Sequence, residues 1–203
     1  MQGQTLAVPH STGTAPPTLV APARTADCHI HIYDARYPAT GHVIANSAVA
    51  DYRLLQKRIG FERVVIVTPR CYGTDNTVML GAMKAAGSTF RGVAVVENDI
   101  PDSELAKLNA AGVRGVRVNI VDVKDRKPGT LPMAELTALA RRIAPMGWHM
   151  EFLMHCDEFP DVDRTFADFP VDIVLGHLGY MKTSLGVNNG GFQALLRLMK
   201  AGK

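Results

Sequence analysis

From residue 26 onward the hydrophobic pattern of the chain switches between two periods. Short β-branched runs, apolar at nearly every position, alternate with longer stretches in which apolar residues recur every three to four positions. The first kind marks strands buried on both faces and the second marks amphipathic helices. The pattern predicts strands over 27–33, 63–68, 91–97, 113–121, 148–155 and 171–179. It predicts helices over 46–60, 74–87, 101–112, 130–147, 159–170 and 190–203. The punctuation agrees: Gly60, Gly87 and Gly112 stand where helices should stop, Pro101 opens the third helix, and Asp75 or Asn76 is placed to cap the second. Six successive βα units predict an α/β fold, a parallel sheet with helices outside it.

Two architectures fit that pattern, a (β/α) barrel and an open parallel sheet. No GxGxxG follows any strand and no GxxxxGK[ST] occurs, so nothing supports a dinucleotide or P-loop site. A chain of 203 residues with 47% hydrophobic and 20% charged residues is long enough for one well-formed core. A net charge of +3, with no basic run, gives no reason to expect a nucleic-acid partner. No apolar stretch reaches the roughly 18 residues of a membrane helix, so no membrane partner is expected either. Cys28, Cys71 and Cys156 are scattered and form no CxxC, which fits inert thiols and a cytoplasmic location. Residues 1–25 are rich in Pro, Ala and Thr and lack the plan of a secretory signal. They are expected to be a disordered or extended leader, with the partial barrel domain over 26–203.

Chemistry in parallel α/β folds lies at the carboxyl ends of the strands. There the sequence places His29 and His31, then Tyr72, Asp75 and Asn76, then Glu97 and Asn98, then Arg117 and Asn119, then Glu151 and His155, then His177. Such a concentration of His, Arg and Asn is not required by packing. His29 and His31 are two apart and share one face of a strand, where two imidazoles can hold a divalent metal, donate to a carboxylate, or simply pack. An arginine at position 117 is costly to bury unless it meets an anion, either a substrate carboxylate or an ion pair with Glu97 or Glu151. The "YGTDN" stretch at 72–76 reads as a helix cap, or as backbone N–H groups offered to an anion. Cys28 alternates with His29 and should face the helices.

Taken in order, "DCHIHIYDARYP", "YGTDN", "AAGVRGVRVN", "GWHMEF" and "GHLG" resemble the amidohydrolase superfamily. Within it they are similar to the amidohydrolase 2 branch and its 2-pyrone-4,6-dicarboxylate lactonase and galactarolactone isomerase group. The resemblance implies a TIM (β/α) barrel and hydrolysis of a small carboxylated lactone, of the 2-pyrone-4,6-dicarboxylate or sugar-acid type. It implies His29, His31 and His177 as the groups that polarise the carbonyl. Arg117, Asn119, Tyr72, Asp75, Asn76 and His155 would contact the substrate. In the lactonase-like group no cofactor is required. The alternative is a metal-dependent hydrolase or decarboxylase of the same branch, with Zn or Mn held by His29, His31 and His177. Three departures from the group's pattern stand out. Gly176 replaces an Asp before the strand-six histidine, Tyr180 replaces an Arg after the glycine, and Leu153 is apolar where a strand-five contact is expected, leaving His155 to substitute.

An eight-unit barrel runs to about 250 residues. Six units predict an incomplete barrel without strands seven and eight and without the strand-eight aspartate that acts as general base in the group. The first and last strands would then be open edges. Three outcomes follow: pairing in a homo-oligomer, a complementing C-terminal segment, or an inactive truncated chain that serves in binding or assembly.

Overall fold

The computed structural model describes residues 17–41, 46–121 and 129–202. The strands are β1 (Ala26–Ile30), β2 (Arg63–Val67), β3 (Phe90–Ala94), β4 (Val113–Asn119), β5 (His149–Leu153) and β6 (Ile173–Leu175). The helices are α1 (Val49–Ile59), α2 (Thr77–Ala86), α3 (Asp102–Ala110), α4 (Met133–Ile143), α5 (Val162–Thr165) and α6 (Gly190–Lys200). Strand and helix alternate as the hydrophobic pattern predicts. The chain divides into two compact units, 1–97 with 102–113, and 98–101 with 114–203.

In the first unit β1, β2 and β3 pair in parallel and in chain order. Val64, Ile66 and Val67 of β2 are fully buried, the consequence of covering both faces of a parallel strand. α2 packs Met79 and Met83 onto β3, and their sulfurs occupy the space beside Gly92. Gly60 ends α1 in the left-handed conformation, φ 76°, that glycine adopts without strain. Of the leader, Thr25 and Arg24 accept hydrogen bonds from Glu62, Arg63 and the Arg63 guanidinium, so its last residues pack on their own chain. Residues 1–16 lie outside the described residues.

In the second unit β4, β5 and β6 pair in parallel, again in chain order. Phe152, Phe166 and Phe169 meet edge-on or tilted with ring centroids 4.9–6.1 Å apart and form the centre of this core. Ile143 and Leu139 of α4 and Leu195 and Leu198 of α6 complete it. Among the described residues no helix is long and apolar enough to cross a membrane.

The elements are shorter than the pattern predicts. β1 stops at Ile30, with a register irregularity between Asp27 and Ile30, so His31 lies one residue beyond the strand. Cys28 is exposed on that bulged segment rather than covered by a helix. β6 has three residues instead of nine, because 177–180 turn left-handed immediately after it. The predicted helix over 159–170 contracts to the four residues of α5.

Candidate active site

In the first unit the two histidines meet. His29 Nε2 and His31 Nε2 are 3.4 Å apart, with rings edge-to-face at 4.9 Å. His31 Nδ1 lies 2.8 Å from the Val67 carbonyl oxygen, at the end of β2. A carbonyl can only accept, so Nδ1 carries a proton, and in the neutral tautomer Nε2 is the acceptor. His29 then donates from its own Nε2–H to that acceptor. The bulge in β1 and the end of β2 thus fix both the orientation and the tautomer of the pair. Asp27 braces the same strand: its carboxylate accepts from the Tyr52 hydroxyl of α1 at 3.0 Å and from the His29 amide at 3.4 Å. Burial and that carboxylate raise the Tyr52 phenol above its ordinary pKa.

The loop after β2 is built from the residues of the "YGTDN" stretch. The Tyr72 hydroxyl accepts from the Asp34 amide at 2.9 Å and donates to the Asp34 carbonyl at 3.1 Å, tying this loop to the one after β1. Burial raises its pKa. Asn76 uses all four of its hydrogen-bonding positions. Its oxygen accepts from Thr68 and from the Val95 amide, and its nitrogen donates to the Thr74 and Val95 carbonyls. Asn76 therefore clamps the loop to the segment after β3, and the cap of α2 falls to Asp75, which accepts from the Thr77 amide at 2.9 Å. Hydrogen bonding by Thr77 lowers the Asp75 pKa.

In the second unit the parallel register sets Arg117 of β4 beside Glu151 of β5. Arg117 Nε lies 3.4 Å from Glu151 Oε1, with both side chains almost wholly buried, 6% and 3% exposed. Of the two readings of Arg117, the ion pair is formed, and its partner is Glu151. Two register positions earlier His149 lies over Gly115, where a Cβ would stand 2.6 Å from the imidazole. Burial lowers the His149 pKa. His149 was not a candidate in the sequence, because nothing but register reveals that it stacks on the bare backbone of Gly115.

Asn119 ends β4 opposite Leu153, which is buried and closes β5. His155 lies two residues beyond the strand. Its Nδ1 is 3.3 Å from the Tyr180 carbonyl and its ring meets the Tyr180 ring at 5.6 Å. His177 is exposed and also meets the Tyr180 ring edge-on, at 5.2 Å. The left-handed turn makes this possible: φ is 53° at His177, 53° at Leu178, 63° at Gly179 and 50° at Tyr180. Gly179 is required there, since a Cβ would collide with the Cys156 sulfur. That sulfur is no nucleophile, because burial pushes the Cys156 thiol up to about 12. Beside His155, the buried Asp157 pairs with Lys182 at 3.3 Å.

The fit to a metal can be tested on the first unit. Two nitrogens bound to one tetrahedral zinc at about 2.05 Å stand about 3.4 Å apart, and the two Nε2 atoms are 3.4 Å apart. The separation therefore matches two ligands of one divalent cation, provided the His29 proton moves from Nε2 to Nδ1. Among the described residues no group of three or more His, Cys, Asp or Glu is arranged as a metal site.

The profile of the amidohydrolase family matches residues 26–203. The chain is 33% identical to a 2-pyrone-4,6-dicarboxylate hydrolase of Comamonas testosteroni, over 91% of this chain and 61% of that protein. It is 28% identical to a D-galactarolactone isomerase of Agrobacterium fabrum, over 94% of this chain and 65% of that protein. It thus spans less than two thirds of the length of either relative. A crystal structure from Agrobacterium tumefaciens without ligand superposes with a TM-score of 0.77 at 24% identity, covering 92% of this chain and 68% of that one. The fold is that of an incomplete (β/α) barrel with six βα units.

Proposed function

The chain belongs to the amidohydrolase family, and from that membership we propose that it hydrolyses a small carboxylated lactone. The observation that carries the reading is the His29–His31 pair, two imidazoles whose Nε2 atoms lie 3.4 Å apart where β1 ends. In this reading the His29 Nε2–H turns from His31 to the lactone oxygen and polarises the carbonyl as negative charge develops there, the role the family resemblance also gives His177, while the His31 Nε2 lone pair takes the proton of the attacking water. Water adds to the carbonyl carbon and loses a proton, the ring C–O bond breaks, and the ring oxygen takes up a proton to leave a hydroxy acid. Arg117 and Asn119 hold a substrate carboxylate, Arg117 through the guanidinium edge opposite its Nε contact with Glu151. Tyr72, Asp75 and Asn76 shape the loop beside the histidines, and His155 faces the substrate from the end of β5.

The Nε2 separation favours a second reading, in which His29 and His31, with His177, hold zinc or manganese. When bound, the metal would activate water or polarise the carbonyl. His31 is already oriented for it by its Nδ1–H donation to Val67, the support that metal-binding imidazoles ordinarily have.

The test is ring opening followed by pH-stat on a panel of lactones, with and without added zinc or manganese, for the wild type and for His31→Ala. Metal-free turnover lost in the variant supports the first reading. Turnover that requires metal supports the second. Turnover unchanged in His31→Ala removes the pair from the chemistry.

A further inference from the structure

In the second unit β5 leads into a turn that carries two polar side chains. His155 stands two residues past the strand, and Asp157 follows two residues later, in the single helical turn Cys156–Glu158. The Glu158 amide closes that turn by donating to the His155 carbonyl at 3.1 Å. The start of α6 covers it: a Cβ at Gly191 would stand 2.9 Å from Asp157 Cα. Asp157 is accordingly the buried member, its side chain 7% exposed, and His155 the open one, 28% exposed at a strand end where barrel chemistry lies. The two oxygens of the carboxylate have different surroundings. Lys182 Nζ lies 3.3 Å from Oδ2 and fixes how the group is turned. Oδ1 is out of water, accepts no hydrogen bond among the described residues, and lies 4.0 Å from His155 Nδ1. Buried carboxylate oxygens are nearly always hydrogen-bonded, so here the fold forgoes stability. His155 Nδ1 also lies 3.3 Å from the carbonyl of Tyr180, the last residue of the left-handed turn. The Nδ1 side of the ring thus faces two acceptors, one of them charged. Nδ1 therefore carries a proton, and Nε2 is the nitrogen that can exchange one with a ligand.

We propose that His155 is the general acid of the lactone opening and that Asp157 is its positioning residue. As the acyl C–O bond of the tetrahedral intermediate breaks, its electron pair stays on the ring oxygen. The Nε2–H of the His155 imidazolium passes its proton to that oxygen, leaving a hydroxy acid and a neutral imidazole. The imidazole regains its proton from solvent, which also receives the one taken from the attacking water. While the ring is charged, Asp157 gives it a counter-charge across a gap that burial keeps poorly screened. A carboxylate behind an imidazole is a common way of holding an acid–base histidine in orientation. This inference rests on the lactone-hydrolase reading and names the proton donor for its leaving oxygen.

An acid matters more the poorer the leaving oxygen. The experiment therefore measures kcat and KM on two lactones: D-galactaro-1,4-lactone, whose ring oxygen leaves as an alkoxide, and 2-pyrone-4,6-dicarboxylate, whose ring oxygen leaves as a stabilised enolate. It uses the full chain, His155→Gln and Asp157→Asn, each checked for folding by circular dichroism, with zinc added if the wild type requires it. His155→Gln is expected to lose about 10²-fold in kcat on the sugar lactone, and about tenfold less than that on the pyrone. Asp157→Asn is expected to lose about tenfold on the sugar lactone, skewed in the same direction. A residue with only a structural role would lower both rates alike. Equal losses on the two lactones, or no loss, overturn the proposal and leave the hydrolase reading standing. A wild type that opens only the pyrone overturns it too, because an enolate leaves without an acid. If the wild type opens only the sugar lactone, losses in kcat support the proposal and losses confined to KM overturn it. If Asp157→Asn does not fold, Lys182→Gln takes its place, since freeing Oδ2 lets the carboxylate turn away from His155, and the same skewed loss is expected. A wild type that opens neither lactone removes the hydrolase reading and this inference with it.

Discussion

The two units position polar groups at their strand ends by different physics. In the first, an imidazole pair is anchored through His31 by a hydrogen bond to backbone, and a tyrosine, an asparagine and an aspartate brace the loops around it. In the second, opposite charges are buried against each other, and glycines make room for the groups that cross. Hydrogen-bonded loops tolerate the loss of one partner at a cost of about 1 kcal/mol. A buried ion pair does not, because the surviving charge has no water to return to. The first unit should therefore degrade gradually under substitution and the second abruptly.

The largest effect is expected at Arg117 and Glu151. Arg117→Ala or Glu151→Ala alone should lower stability by about 3–5 kcal/mol, whereas Arg117→Met with Glu151→Leu should be close to neutral. Urea unfolding of the four chains checks this, and additive single losses would mean that the pair is not coupled. Next come the glycines under the left-handed turn. Gly179→Ala forces a methyl into Cys156 in a backbone region costly to side chains and should cost about 2–4 kcal/mol; thermal unfolding measures it.

A third effect separates the units by pH. The His149 pKa is lowered by burial, so below the ordinary value of 6.5 the unfolded chain takes up a proton that the folded chain refuses. The associated stability is complete above pH 6.5 and is lost as the pH falls below it. His149→Gln should flatten the stability profile between pH 7 and 5, and an unchanged slope would place the loss elsewhere. The smallest effect is expected in the first unit. Asp75→Ala removes the hydrogen bond that caps α2 and should cost about 0.5–2 kcal/mol, with the histidine pair left in place. A larger loss on chemical unfolding would show that this loop is less independent of the barrel core than its hydrogen bonds suggest.

Local features were legible in the sequence and cross-strand ones were not. Apolar runs announced β2 and β4, and Gly60 announced the end of α1, because these depend on a few neighbouring residues. The HxH pair was visible as a motif, and its face-sharing survives even though β1 bulges and stops before His31. Arg117 could be recognised as needing an anion, but the choice between Glu97 and Glu151 depends on strand register, which no single strand encodes. Asn76 looked like a helix cap. Its side chain instead spans from β2 to the residues beyond β3, a contact that exists only once the sheet is assembled. Residues 177–179 of the left-handed turn read as strand in the sequence because "GHLG" follows an apolar run. Three of its four residues are not glycine, so composition gives no warning of the conformation.

The lactone hydrolysis that we propose runs through the His29–His31 pair. The most direct measurement is the rate of ring opening of D-galactaro-1,4-lactone by the wild type, His29→Ala and His31→Ala, each after exhaustive chelation and again with added zinc. Turnover by the wild type that falls by about 10²-fold or more in both variants is the predicted result. Equal rates in all three chains would contradict it.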